Sequence, residues 1–489
     1  MPDGTAHSRR RPGAMWGAAV ALLAGVLLLY SQTRAFAWDE GFHLLTAQLI
    51  DRGRRPYLDF CFSQTPLNAY WNAGWMRIFG DTWRTAHAVA GVMTSLAVLL
   101  MSGYVWRRFP EPRWRLAAAL TAAALIGANT AVFEFGAIGQ AYGLCLFLIV
   151  SAYLLTVTAV DRAGWGRAAA AGFLSSAAAN SSLLTAPVAP VLLAWMLVSN
   201  RRGSRWAKAA GFAAGAGAAC APLAWLFAQN PRNTIFNVFE YNMLYRQRHW
   251  EGALEHNIGE WSAWIGSPQA WLLGLLAVFG LLFLHRHRAW AEELRREFYL
   301  CGWLAGALML HISTAAPTFT RYYLLAVPFL AAPACVGLYA AGSRLAGPDR
   351  PFWPALIASG IMILCLAKSL YAGRDDFTWG DLEAGAAKVQ SVTPAHAPLL
   401  ADELTYFVTR HPPPPGMELA DSHKLDFPPA MAARLHIVSR KELDRRIQAR
   451  EFATIEITED EDEAARLGLA RLYAHSATVG EVQIFWSPR

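Results

Sequence analysis

Long apolar runs separated by short arginine clusters limit this chain more than any other feature. Crossing the hydrocarbon core of a bilayer takes about 20 residues of helix, with some tolerance. Such runs recur near residues 15–30, 85–105, 116–133, 141–160, 209–228, 269–284, 298–314, 322–341 and 352–371. Composition agrees: the chain is 55% hydrophobic and 16% charged, with a mean hydropathy of +0.24, values of a multi-span membrane protein rather than a soluble enzyme. The net charge of +7 forms no nucleic-acid-binding stripe. Its basic residues lie between apolar runs, where they act as topology signals, and nucleic acid is excluded as a partner.

Those clusters orient the chain, because arginine and lysine accumulate on the cytoplasmic side of spans. The run 168–198 is long for one span and short for two, with Asn180-Ser181-Ser182 at its middle. Arg162 and Arg167 precede it, and Arg201, Arg202, Arg205 and Lys208 follow, so it reads as a hairpin of two helices with both flanks inside. Arg9 to Arg11, Arg107, Arg108, Arg113, Arg115, Arg286, Arg288, Arg295, Arg296, Arg344 and Arg350 then fall on the same side. The expected architecture is an α-helical polytopic membrane protein of about eleven spans, N-terminus in and C-terminus out. Residues 1–371 form the transmembrane domain, with a first outer loop at 31–84 and a second at 229–269. Residues 372–489 form a small extracytoplasmic α/β domain. Arg9 to Arg11, the first apolar stretch and Ala35-Phe36-Ala37 also look like a secretory signal. We read the stretch as an uncleaved span, since later spans need it as a packing partner. Five of the six cysteines lie in apolar runs and only Cys61 in a polar loop, so neither a disulfide nor a metal-ligand spacing is expected.

Asp39 and Glu40, with His43 close behind, follow the first span directly. Carboxylates favour a helix start, but acidic side chains at a membrane edge are costly to desolvate and point to function. Phe42, Leu45 and Leu49 recur at helical spacing until Gly53 offers a stop. Thr65-Pro66 opens a second, amphipathic helix whose Leu67, Tyr70, Trp71, Trp75 and Ile78 suit the membrane interface. Between the two lie Tyr57-Leu58-Asp59-Phe60 and Ser63-Gln64. In the second loop, Arg246, Arg248, His249 and His256 mix with Tyr241, Tyr245, Trp250 and Trp261, a solvated amphipathic helix by composition. The two histidines are too far apart for one helical turn of metal ligands. Glu134 and Gln140 flank a turn on the same side, and Arg321-Tyr322 leads into a span containing Pro328. An arginine at an outer span end wants an anionic partner, which a lipid headgroup or a substrate phosphate supplies equally well. In the C-terminal part, Leu399 to Val408, Glu442 to Arg450, Ala453 to Ile457 and Val482 to Trp486 read as strands and helices around a Pro412 to Gly416 turn.

The first span running into Asp39-Glu40, the Pro66-Leu67-x-x-Tyr70-Trp71 stretch and Arg321-Tyr322 before Pro328 together resemble the GT-C glycosyltransferases of the protein O-mannosyltransferase and aminoarabinose-transferase type. The resemblance covers most of residues 10–371 and implies a bacterial inner-membrane enzyme with an outward-facing site. Its donor would be a sugar on a polyprenyl phosphate, and its acceptor a lipid, glycan or protein. Carried over, Asp39 and its neighbour Glu40 are the catalytic residues, with Asp39 as the catalytic carboxylate. Arg321 is the contact for the donor phosphate, and the substrate-binding candidates are His43, Tyr57, Asp59, Gln64, Glu134, Arg246, Arg248, His249, Arg321 and Tyr322. A divalent metal is compatible with the resemblance, although no ligand set is identified. Aminoarabinose-type relatives carry Glu-Lys where this chain has Ser63-Gln64-Thr65-Pro66, which removes one carboxylate and one cation. The chemistry fits the residues. A polyprenyl phosphate leaves readily, so such an enzyme supplies a base for the acceptor and positive charge for the departing phosphate, and direct displacement inverts the anomeric centre.

Two other classes fit the composition. A transporter or flippase for a lipid or anionic solute would use Asp39, Glu134 and Arg321 as coupling groups. Transporters, however, keep ionisable residues near mid-span and show repeated halves, and neither is seen here. A membrane assembly factor gives no reason for the acidic pair.

Overall fold

Each apolar run forms a helix or a broken pair of helices. The computed structural model describes residues 10–244, 252–290, 294–315, 317–458 and 461–489. In chain order the membrane part contains α1 (Arg10–Thr33), α2 (Gly41–Asp51), α3 (Leu67–Phe79), α4 (Trp83–Arg108), α5 (Arg115–Gly127), α6 (Thr130–Phe135), α7 (Tyr142–Ala159), α8 (Gly166–Ser181), α9 (Val188–Ser199), α10 (Arg205–Ala219), α11 (Ala221–Gln229), α12 (Ala253–Gly266), α13 (Pro268–Arg286), α14 (Arg295–Ser313), α15 (Val327–Leu345) and α16 (Phe352–Ala372). By length and composition, six of the described helices are able to cross a membrane, or seven if the bent pair α10 and α11 counts as one. Several of the other runs behind the expectation of about eleven spans are interrupted. Asn129 starts α6 by accepting the Val132 N–H, which separates it from α5. Ser182 is extended and divides 168–198 into α8 and α9. Pro222 has no N–H to give and its ring crowds the preceding turn, so α10 and α11 meet at 54°.

Lipid tails are as apolar as leucine, so helix pairing in a bilayer relies on close backbone approach at small residues. A Cβ on Gly280 would strike the Pro333 carbonyl, and one on Gly337 the Leu276 carbonyl, so α13 and α15 cross in near backbone contact. Gly172 against Phe212 and Gly215 against Ala169 do the same for α8 and α10. The basic clusters collect at one end of the bundle. There Arg108 meets Glu297, Arg113 meets Asp349, Arg201 meets Asp161, and the Lys208 ammonium is capped by Arg202 O at 2.7 Å.

The opposite end carries α2, α3 and the C-terminal part. The latter contains α17 (Trp379–Val392), β1 (Leu399–Leu400), α18 (Glu403–Thr409), α19 (Arg440–Gln448), β2 (Thr454–Thr458), β3 (Tyr473–Val479) and β4 (Val482–Pro488). The sheet order is β1-β2-β4-β3, with β1 parallel to β2 and the other pairs antiparallel. Strand β3 is absent from the sequence reading because most of its side chains are exposed and no alternation marks it. The α/β part shares a core with the segment between α1 and α4: Leu45, Leu49, Tyr57, Phe60 and Phe62 pack with Val389, Leu399, Tyr406, Val482 and Ile484.

Candidate active site

The Asp39 turn is held from three directions. Residues Trp38–Glu40 form one 3-10 turn between α1 and α2. Glu40 is fully buried; its Oε2 meets His87 Nε2 of α4 at 2.8 Å and accepts the Gly139 N–H at 2.8 Å. His87 Nδ1 faces the Ser31 carbonyl at 2.7 Å. A carbonyl only accepts, so one proton has to lie in the Glu40–His87 bond, and the two side chains lock α1, α2 and α4 together. The Gly139 carbonyl accepts from Asn72 at 2.8 Å and Asn68 at 3.2 Å, which fixes the strip that ends in Gln140-Ala141-Tyr142. The third hold comes from the C-terminal domain: a Cβ on Gly41 would lie 3.0 Å from the Leu404 side chain and 3.2 Å from its backbone nitrogen.

Asp39, half exposed beside this rigid frame, forms an ion pair with Arg321. Arg321 is presented by the Thr320–Ala326 turn at the start of α15, which α12 holds in place. There His256 Nε2 meets Thr318 O at 3.0 Å, Asn257 Oδ1 accepts the Thr318 N–H at 2.9 Å, Asn257 Nδ2 donates to Ala315 O at 2.7 Å, and Glu260 accepts from Thr320. The guanidinium lies 4.6 Å from the Phe319 ring and 5.7 Å from that of Phe135. Its Nε is buried with no hydrogen-bond partner among the described residues. The anionic partner of Arg321 in the structure is Asp39, where its place at a span end led us to expect a lipid headgroup or a substrate phosphate.

The pair borders a cavity of about 320 Å³. His43, Gln64 and Tyr322 line it as well, together with Gln140, Ser181, Ser182, Asn242 and His311. His43 is buried, and loss of solvation pushes its imidazole down to about 3, so the ring is neutral. Asn68 Nδ2, a donor, approaches Nδ1 at 3.5 Å, which assigns the ring proton to Nε2. Apart from Asp39 and Arg321, the polar lining is hydroxyl, amide and imidazole among the described residues.

The remaining candidates are elsewhere. Glu40 does not line the cavity; its role in the structure is the buried bond to His87. Tyr57 is buried with φ 69°, and its hydroxyl donates to the Gln64 carbonyl, so it supports the wall from behind. Asp59 points outward, where Arg55 at 2.9 Å holds its carboxyl below the usual range. Glu134 bonds Ser369 at 2.8 Å and does not line the cavity. Arg246, Arg248 and His249 lie outside the described residues. Ser181, Ser182, Asn242 and His311 were not identified from sequence. The one signal was the polar Asn180-Ser181-Ser182 break in an apolar run, read there only as topology. The described residues bring no three His, Cys, Asp or Glu side chains together and so offer no metal-ligand set.

No protein-family model matches the chain, and no curated protein matches it in sequence. In fold it is similar to ArnT from Cupriavidus metallidurans. The apo state has 15% identity and a TM-score of 0.68 over 98% of this chain and 100% of that one. The state bound to undecaprenyl phosphate has 14% identity and a TM-score of 0.66 over 97% and 99%. It is also similar to the archaeal oligosaccharyltransferase AglB from Archaeoglobus fulgidus, in complex with an inhibitory peptide and a dolichol-phosphate, with 12% identity and a TM-score of 0.53 over 93% of this chain and 71% of that one. Both are GT-C glycosyltransferases, and the chain has the GT-C fold that its sequence led us to expect.

Proposed function

We propose that the protein is a membrane glycosyltransferase that moves a sugar from a polyprenyl-phosphate donor to an acceptor hydroxyl or phosphate, inverting the anomeric centre. The observation that supports this most is the Asp39–Arg321 pair at the edge of a polar cavity in a GT-C fold. The lipid phosphates named with ArnT and AglB support a donor of the same class. By the positive-inside rule, the cavity and the C-terminal domain face the extracytoplasmic side of the membrane, opposite the arginine clusters.

The chemistry follows from charge. A donor phosphate displaces Asp39 from Arg321, because a guanidinium binds phosphate with two parallel hydrogen bonds and the orphaned Nε adds a donor. Asp39 is thereby freed to accept the proton of the acceptor hydroxyl as its oxygen attacks the anomeric carbon. The bond from that carbon to the phosphate oxygen breaks, and the lipid phosphate leaves with its charge held by Arg321. His43 Nε2, Gln64, Gln140 and Asn242 supply neutral hydrogen-bonding groups for sugar hydroxyls.

The test incubates purified protein with a panel of polyprenyl-phosphate sugars and measures release of the lipid phosphate. Asp39→Asn is expected to lower transfer by at least about a hundredfold while the protein still inserts and folds. Undiminished transfer by that variant removes Asp39 from the mechanism. Lipid or solute flux in liposomes with no sugar transfer by the unmodified protein would return the transporter reading.

A further inference from the structure

The basic end of the bundle contains a second cavity, about 450 Å³, between the C-terminal turns of α4 and α7 and the start of α8. Its floor is apolar, formed by Leu154, Val157 and the ring of Tyr104. The Tyr104 hydroxyl donates to Glu297 at 2.8 Å, and Glu297 also pairs with Arg108, so this wall is rigid. Around the rim stand Arg107, Arg162 and Arg167, none with an ion-pair or hydrogen-bond partner for its side chain among the described residues. The one carboxylate at the rim, Asp161, is engaged by Arg201. Three guanidinium groups, from the end of α4, the start of α8 and the turn before α8, thus line one cavity with apolar walls at the basic end of the bundle.

Topology alone asks only for arginines on this side of the membrane; it does not ask for three from two helix ends and a turn around one cavity with a greasy floor. A soluble anion gains nothing from that floor, and a neutral lipid gains nothing from the rim. We propose that this groove is a binding site for an anionic phospholipid of the basic-side leaflet, with its phosphate among Arg107, Arg162 and Arg167 and an acyl chain along Leu154 and Val157. Charge complementarity and the amphiphilic shape select this occupant, since basic pockets between membrane helices hold anionic headgroups. The site is independent of the proposed sugar transfer and is the full bundle away from Asp39.

The test uses the full chain purified in a neutral detergent. Phosphatidylglycerol, phosphatidylcholine and inorganic phosphate are titrated separately, and retention is read by native mass spectrometry together with the melting temperature. The expected result is retention and a raised melting temperature with phosphatidylglycerol alone. The variant R107Q/R162Q/R167Q should retain it about a hundredfold less well, from the charge lost at three contacts. The control R113Q/R286Q/R350Q removes as many charges from the same end but outside the groove, and should match the unmodified protein. Leu154→Trp keeps every cation and fills the floor, so it should also lose the lipid; this variant decides the matter if the triple variant fails to insert. Equal protection by inorganic phosphate, equal losses in the two triple variants, or unchanged retention in Leu154→Trp would each overturn the site.

Discussion

Asp39 and Glu40 are adjacent in sequence and opposite in environment. Asp39 is half exposed at a cavity beside Arg321, whereas Glu40 is sealed in a core with His87 and the Gly139 amide. A reading from sequence assigns both to chemistry because each is a carboxylate at a span edge; only the direction of each side chain separates them. The consequence is a prediction about His87. Removing one partner of a buried hydrogen bond leaves the other unsatisfied in a low-dielectric interior, at a cost of roughly 1–3 kcal/mol. His87→Ala is therefore expected to lower the melting temperature and transfer together, whereas Asp39→Asn lowers transfer alone. Thermal denaturation of both variants in the same detergent distinguishes them, and an unaltered melting temperature for His87→Ala would remove the anchoring role of Glu40.

Among the elements, α2 shows how local pattern and tertiary contact divide the work. Its helical character and the stop at Gly53 were legible from the spacing of Phe42, Leu45 and Leu49 and from the glycine itself; in the structure it runs from Gly41 to Asp51, and Gly53 has φ 86°. That Gly41 itself touches α18 was not, because the contact partner, Leu404, is more than 360 residues away. Gly41→Val should push α18 off the Asp39 turn, costing about 1–3 kcal/mol of stability and a larger share of transfer. Comparing initial transfer rates of Gly41→Val and Gly74→Val tests this, since Gly74 has open space around it and should tolerate the change. Strand β2 makes a separate prediction about pH. Burial, reinforced by the neighbouring Asp402, pushes the Glu456 carboxyl up to about 7, and burial raises Asp402 to about 6. A carboxyl whose folded value is raised stabilises the fold below its ordinary value, and that contribution is lost as pH rises through the folded value. The C-terminal domain should thus melt at falling temperature as pH goes from about 5 to about 8. Glu456→Gln should flatten the profile, and a profile left unchanged by that variant would contradict the assignment.

On the scale of the whole molecule, the C-terminal domain is part of the site's scaffold rather than an appendage. Tyr57, whose hydroxyl holds the Gln64 wall of the cavity, belongs to the same core as Tyr406 and Ile484, and Trp83 of α4 stacks on Trp379 at 4.7 Å and donates to Glu383 at 2.9 Å. A chain ending at residue 371 would expose this apolar face, so it should lose transfer and become open to protease cleavage within 31–84. Full activity from that truncation would show the two parts to be independent. Membrane character, the basic end, the helix-forming segment after the first span and the α/β nature of the last hundred residues were determined by the sequence itself, because each rests on patterns within about twenty residues: apolar length, charge placement, helical spacing and turn residues. Which carboxylate faces the cavity, what pairs with Arg321, and the recruitment of Ser181, Asn242 and His311 were decided only by the tertiary structure. Those facts depend on side chains from distant segments meeting in one volume, and no local spacing encodes that meeting.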